Sequence, residues 1–251
     1  MKINKIRFMF LIIIIFSFSV VFSVTAKNED IQKKGVVSLT FDDGLLKHYS
    51  VAFQDMKEQG YVGTIYLVAK GNNSLDGQVL MTFAQAREMQ DAGWEIGSHT
   101  LNHDDLKSMS IKELKANLKL SKELLNKEGF EVSSLSYPHG RYNLWRIQYV
   151  KKFYSSARTM REGFNNFNGS YYSLRSNFVK NNTSPEKVCD LIKKAENKDK
   201  WLILGFHYIG KEPKTSWDYS EENFNKILDC INKTDIEVKT ISEVINNEKR
   251  N

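Results

Sequence analysis

From Val36 onward, short apolar runs of strand length alternate with longer stretches of helical periodicity, and no other feature restricts the fold as strongly. Residues 36–41, 63–68, 94–99, 133–137, 155–159, 171–178, 201–209 and 236–241 read as strands. Residues 50–60, 82–92, 110–129, 142–153, a segment opening at Ser184 and 221–232 read as helices. The boundaries carry physical signals. Ser110 and Glu113 have the spacing of a capping box, Pro185 sits at a first helical position, and Gly60 and Gly93 fall where helices stop. Such alternation joins parallel strands through helical crossovers, which leaves an open doubly wound sheet or a barrel. About seven parallel strands, with no Pro/Ser-rich linker and no internal repeat, predict an α/β fold: a distorted (β/α) barrel in a single domain over residues 36–245.

Residues 1–35 stand apart from this pattern. Lys2, Lys5 and Arg7 precede an apolar run over 8–22 that only Ser17 and Ser19 interrupt, and Val24-Thr25-Ala26 supplies the small residues of a cleavage site. This order predicts a secretory signal peptide over residues 1–26 and a short N-terminal segment over 27–35. The run is shorter than the roughly 18 apolar residues of a spanning helix, so cleavage is favoured over an uncleaved anchor. A secreted or cell-surface protein is expected, touching a membrane only if the signal stays uncleaved. The formal charge of +6 divides accordingly: three of the positive charges lie in the leader, and the remainder carries +3. With no basic stripe interleaved with aromatics, no nucleic-acid partner is expected. The 41% hydrophobic content excludes a disordered chain, and two cysteines exclude a disulfide scaffold or a four-cysteine zinc site. Cys189 and Cys230 either pair or remain buried thiols, and a monomer is the expected state.

The chemistry-bearing residues gather where strands end. Asp42 and Asp43 follow the first strand, His99 and His103 the third, Pro138-His139-Gly140 the fourth, and His207 closes the late apolar strand. Four of the five histidines are thus at the C-terminal ends of strands, the end at which a (β/α) barrel builds its active site. The four-residue spacing of His99 and His103 places two imidazoles on one face of a helical turn, close enough to share a metal. One carboxylate would complete a two-His, one-carboxylate set with positions left for water. Adjacent Asp residues repel unless a metal neutralises one while the other acts as a base. Singly, each feature has a bland reading: a capping turn for Asp-Asp-Gly, a chance pair for the histidines, a core histidine for His207. Their joint placement at strand ends is far more specific. His48, just before the first predicted helix, reads as a solvated residue.

In these residues the chain resembles the polysaccharide deacetylases, the NodB-homology domain of carbohydrate esterase family 4. Thr40-Phe41-Asp42-Asp43-Gly44 matches the first family motif and His99 to His103 the second; Ser136-Tyr137-Pro138-His139-Gly140 matches the third in part, and Leu204 with His207 the late histidine motif. The resemblance implies a distorted (β/α) barrel and a metal-dependent hydrolase that removes N-acetyl groups from N-acetylglucosamine-containing glycans. It implies Asp42 as catalytic base, a divalent metal (zinc in most members) on Asp43, His99 and His103, the His139 N–H as an oxyanion donor, and His207 as general acid. Pro138, Tyr142, Arg158 and Leu204 are the expected substrate-binding residues, and Tyr142, Trp145 and Tyr208 either stack on sugars or pack. Two departures stand out. Ser136 occupies the position where many members have an Arg beside the base, and Arg158 and Arg175, on nearby predicted strands, are the candidates to supply that cation. The Asp- and Trp-containing fourth motif is not recognisable. An O-acetyl esterase of xylan-type glycans, a small-amide hydrolase and a non-catalytic glycan-binding barrel are the rival readings.

Overall fold

A computed structural model describes residues 35–71 and 73–250; the expected leader over 1–26 lies outside the described residues. In chain order the strands are β1 (Val36–Phe41), β2 (Thr64–Leu67), β3 (Ser74–Leu75), β4 (Gln78–Val79), β5 (Glu95–Ser98), β6 (Ser134–Ser136), β7 (Ser156–Arg158), β8 (Asn177–Phe178), β9 (Trp201–Phe206), β10 (Ile209–Gly210), β11 (Tyr219–Ser220) and β12 (Glu237–Val238). The α-helices are α1 (Phe53–Glu58), α2 (Phe83–Asp91), α3 (Ile111–Lys127), α4 (Ile147–Val150), α5 (Pro185–Asn197), α6 (Glu221–Ile231) and α7 (Ile241–Arg250). Eight strands form one sheet in the order β7-β6-β5-β2-β1-β9-β8, with β12 also on β1, and every pairing in it is parallel.

The sheet curls into the expected distorted barrel. Ahead of β8, the chain over 171–174 hydrogen-bonds the opposite edge: Leu174 N–H donates to Ala157 O at 3.0 Å, and Ala157 N–H to Tyr171 O at 2.8 Å. One segment therefore joins β7 to β9. The strand predicted over 171–178 is regular only at its end, because its two halves serve different edges.

Period-two alternation decides which residues see the interior. On β1, Val37, Leu39 and Phe41 pack outward against helices, in a cluster that includes Phe53 and Phe224. Ser38, Thr40 and then Asp42 face inward. The same parity turns Glu95, Gly97 and His99, Ser134 and Ser136, and Ile203, Gly205 and His207 toward the lumen. A Cβ at Gly97 would lie 2.5 Å from the Tyr66 ring, so only glycine lets that ring cross the interior. At the far end α7 closes the floor: Ile241, Val244 and Ile245 pack on Val36, Trp201 and Ile203, and Ser242 N–H donates to Glu95 Oε2 at 2.7 Å.

The helix signals work as read. Thr82 and Ser110 make complete capping boxes, and the Ser184 and Ser220 side chains cap α5 and α6. Two expectations need correction. Residues 142–153 form only a 3-10 turn (Leu144–Arg146) and the single turn α4, held by the Asn143 cap rather than by a long apolar stripe. Residues 236–241 pair only at β12, and Ile241 begins α7 instead, anchored by the N-cap bond of Thr240 Oγ1 from Glu243 N–H. The hairpin β3–β4, turned by Asp76-Gly77, is an addition. Cys189 and Cys230, left open above, are joined in a disulfide between α5 and α6, with Cα atoms 5.8 Å apart. Among the described residues no helix is long and apolar enough to cross a membrane.

Candidate active site

A cleft of about 500 Å³ opens at the C-terminal ends of the strands. Asp42, Asp43, His99, His103, His139 and His207 all line it. Parity brings Asp42 inward, and its neighbour would point away but for the backbone. Asp43 adopts φ 74° and Gly44 φ 75°, which turns the second carboxylate into the same cleft. Asp76, Thr100, His103 and His139 also have positive φ, so among the described residues five of the seven non-glycine residues in this strained region belong to the site or its loops.

The histidine pair is not on a helical turn, contrary to expectation. The loop after β5 folds back at Thr100 and His103, and Asn117 of α3 pins it: Asn117 Oδ1 accepts from Leu101 N–H at 3.3 Å and its amide donates to Asp104 at 2.6 Å. The loop nonetheless brings the two rings to 4.9 Å. His99 Nδ1 lies 2.9 Å from the Ser136 carbonyl oxygen and must donate to it, so Nε2 keeps its lone pair. His99 Nε2 and His103 Nε2 lie 3.4 and 3.6 Å from Asp43 Oδ1. Ligands about 2.0–2.2 Å from a common tetrahedral ion sit roughly 3.4 Å apart, so the spacing fits a metal. Two further observations agree. Asp43 Oδ1 is buried with no hydrogen-bond partner among the described residues, and burial, with the neighbouring charges of Asp42 and Asp76, pushes the Asp43 carboxyl up to about 8. Burial also pushes His99 down to about 3 and lowers His103, holding both imidazoles in the neutral, ligating form. The donor set Asp43, His99 and His103 thus fits a divalent cation.

Asp42 is 3% exposed and clamped by Arg158, which is 1% exposed. Arg158 Nη2 donates to both carboxylate oxygens, at 2.6 Å to Oδ2, and to Ser136 Oγ at 2.5 Å; Nη1 donates to Ser176 Oγ at 3.1 Å. Tyr66 and Phe178 lie on the guanidinium at 5.2 and 4.9 Å. Burial is the largest influence on Asp42 and opposes its ionisation, yet the charge and hydrogen bonds of Arg158, together with His99 and His207, outweigh it and hold the carboxyl well below the usual range. Of the two candidate cations Arg158 is therefore the one at Asp42, and Arg175 is not: its guanidinium donates to the Glu162 carbonyl at 2.8 Å.

His207 presents Nε2 to the cleft, 4.0 Å from Asp43 Oδ2, between Phe178 and Trp217 at ring distances of 5.1 Å. Burial lowers its pKa, and the Asp42 carboxylate favours its charged form. In the Pro138-His139-Gly140 turn, the two turn hydrogen bonds run from Gly140 N–H to Tyr137 O and from Arg141 N–H to Pro138 O, and neither uses the His139 N–H.

Several expected contacts fall elsewhere. Arg158 and Leu204 have essentially no exposed surface, so neither meets substrate directly; Leu204 packs in the core and its carbonyl accepts from Thr40 Oγ1 at 2.8 Å. Pro138 is buried beneath its turn. Tyr142 stacks on Tyr137 at 5.4 Å outside the cleft lining, and Trp145 is 82% exposed. His48 is not solvated: it is fully buried with Nε2 2.7 Å from the His207 carbonyl oxygen. Trp217 and the hairpin residues Leu75, Asp76 and Gln78 line the cleft without having been singled out. The Asp76-Gly77 pair, a two-residue hairpin turn signal, could have marked that hairpin.

Comparison with known proteins finds relatives of this chain. The sequence profile of the family described as polysaccharide deacetylase matches residues 29–154. The Bacillus subtilis (strain 168) protein YxkH, which carries a polysaccharide deacetylase name, is 32% identical over 117 residues. That match spans 46% of this chain and 41% of YxkH. Among solved structures, the Streptococcus pyogenes deacetylase PplD in complex with acetate is 30% identical, with a TM-score of 0.58 over 65% of this chain and 73% of that one. The Xyl-CE4 domain of a multidomain xylanase from the hindgut metagenome of Trinervitermes trinervoides is 16% identical, with a TM-score of 0.60 over 86% of this chain and 92% of that one, a likeness of fold. The profile covers half of the sequence, and the motif residues Asp42, Asp43, His99, His103 and His139 inside it line the same cleft: the chain belongs to the polysaccharide deacetylase family.

Proposed function

We propose that the chain is a secreted or cell-surface, metal-dependent deacetylase that hydrolyses the N-acetyl groups of N-acetylglucosamine-containing glycans and releases acetate. The observation that carries this reading is the pairing of opposite electrostatics on adjacent residues. Asp42 is held ionised by Arg158, while Oδ1 of Asp43 beside it is buried without a hydrogen-bond partner among the described residues, an opening suited to a cation. A divalent cation on Asp43, His99 and His103, zinc by family resemblance, supplies a Lewis acid and lowers the pKa of water.

The chain's own residues divide the remaining work. Asp42 takes a proton from the attacking water at a carboxylate oxygen, and Arg158 keeps that oxygen unprotonated beforehand. The His139 N–H donates to the oxyanion that forms at the acetyl carbonyl, a contribution typically of a few kcal/mol. His207, in its protonated form, gives a proton from Nε2 to the departing amine nitrogen. That last step fits an amide, whose amine leaves poorly unless protonated. Leu75, Met160 and Trp217 give the cleft an apolar lining against which an acetyl methyl can pack. Acetate is also the ligand in the S. pyogenes relative. Export by the N-terminal segment and a monomeric state are part of the same reading, since a glycan polymer lies outside the cytoplasm.

Acetate release by the protein lacking residues 1–26, measured with and without added zinc, tests this on chitooligosaccharides, peptidoglycan fragments and acetylated xylan. Zinc-dependent release from the N-acetylated substrates is expected. Release from acetylated xylan alone makes the chain an O-acetyl esterase, and full activity of Asp42→Asn removes the catalytic assignment.

A further inference from the structure

Two turns build the two sides of the cleft. The turn after β1 carries Asp42 and Asp43, and the turn between β9 and β10 carries His207. One residue outside the cleft touches both. The His48 backbone N–H donates to the Leu45 carbonyl at 2.9 Å, directly after Asp42-Asp43-Gly44. Its side-chain Nε2 lies 2.7 Å from the His207 carbonyl oxygen, 159 residues further along the chain.

This contact is built rather than incidental. His48 has no exposed surface and packs its ring 5.4 Å from that of Phe41. A carbonyl oxygen can only accept, so Nε2 must carry the proton and the tautomer is fixed. Nδ1 is buried and has no partner among the described residues. Burial pushes the imidazole down to about 4, so at neutral pH the ring is an uncharged donor. The His207 carbonyl also falls where the sheet gives it no partner. Phe206 O accepts from Asp42 N–H and Tyr208 O from Tyr219 N–H, both at main-chain positions, whereas His207 between them is held from the side. His48 opens the π-helical turn His48–Ala52, a wide turn of a kind that recurs near functional sites.

We propose that His48 is a positioning residue, whose Nε2–H bond to the His207 carbonyl fixes the backbone from which the His207 imidazole is presented to Asp42 and Asp43. The kinetic consequence rests on the reading of His207 as proton donor; the structural bond does not. His48 acts through another residue and touches no substrate. Its loss leaves the cleft lined as before but lets the His207 ring drift.

The test compares His48→Leu, which removes the donor, with His48→Gln, whose amide N–H reaches near the position of Nε2. In His48→Leu, kcat for acetate release falls about 10- to 100-fold while KM stays within about twofold, because misplacement by an ångström costs that much. In His48→Gln, kcat returns to within roughly threefold of the parent, since a donor is restored at the same place. Equal loss in both variants, or full activity in both, overturns the proposal. Nitrogen-15 spectra of the histidine side chains in the unmutated protein give a readout that needs neither activity nor a stable variant. His48 is expected as a neutral Nε2–H ring; an Nδ1–H ring overturns the bond. If the spectrum shows that bond and no glycan yields acetate, the deacetylase reading has failed and the positioning bond has not.

Discussion

Arg158 and Ser136 are register partners on adjacent strands, and the guanidinium of Arg158 passes Ser136 Oγ at 2.5 Å to reach Asp42. The family resemblance places an Arg at position 136; here the cation arrives one strand away and a serine steadies it. Both inward-facing positions open on the same space, so a long side chain on β7 serves the same carboxylate as one on β6.

Removing Arg158 should therefore be severe. In Arg158→Met, burial acts on Asp42 without its counter-charge, and the Asp42 pKa rises. The base must be unprotonated to work, so the acidic limb of the pH–rate profile moves to higher pH and neutral activity falls by roughly 100-fold or more. Breaking a buried pair also destabilises the fold by about 3–5 kcal/mol, read by denaturant unfolding. Arg175→Ala should leave the acidic limb where it is. The exchange Ser136→Arg with Arg158→Ser should recover part of the lost rate; an exchange no better than Arg158→Met alone would show that strand position matters.

Asp43 gives a stability signature of the opposite sign. In the metal-free protein burial lifts its pKa from 3.8 to about 8. Between those values the folded state holds a proton that the unfolded state has lost. Metal-free stability should therefore fall as pH rises from about 4 to about 8. Bound zinc needs the unprotonated carboxylate and should reverse the trend, raising Tm more at pH 8 than at pH 5. Thermal unfolding across pH, with chelator and with zinc, checks this; parallel curves in the two conditions would count against the ligand set. Asp43→Asn should lose the zinc response.

Trp217 shields His207 from water. Its ring meets that of His207 edge-on at 5.1 Å, and Lys180 lies 3.9 Å above its face. Trp217→Ala opens that wall, so kcat/KM should drop by about 10-fold, the scale of one lost aromatic contact of roughly 1.5 kcal/mol. Competition by acetate should weaken in parallel. An unchanged kcat/KM would mean that the wall is dispensable.

Much of this was legible in the sequence because it rests on local signals. Strand ends are marked by the change from apolar runs to Asp, His and Pro-His-Gly, and the Ser110–Glu113 capping box fixes where α3 begins. Asp43, His99 and His103 needed only that reading. What stayed hidden depends on non-local pairing. The bond from His48 to His207 spans 159 residues, and a histidine between Lys47 and Tyr49 has no local mark of burial. The choice of Arg158 over Arg175 turns on register with Ser136, which no single-strand pattern contains. The segment 171–178 was read as one strand because periodicity cannot show that its halves pair with different edges. Leu204 failed for a simpler reason: motif proximity to His207 suggested contact with substrate, while strand parity turns it outward into the core.

The disulfide between Cys189 and Cys230 should separate stability from catalysis. It joins α5 to α6 on the outside of the barrel, away from the cleft residues, and closes a loop of 41 residues. A loop of that length restricts the unfolded chain by about 4 kcal/mol at 25 °C in the chain-entropy treatment. The helices also pack directly, Val188 and Ile192 against the same core as Ile227 and Leu228, so the fold should survive without the bond. The expected result for Cys189→Ser with Cys230→Ser is a lower denaturant midpoint with unchanged kcat and KM for acetate release at 25 °C. Reductant should reproduce the shift in the parent protein and do nothing to the double variant. Loss of activity at a temperature where the variant is fully folded would mean instead that α5 and α6 transmit strain to β9, the strand that delivers His207.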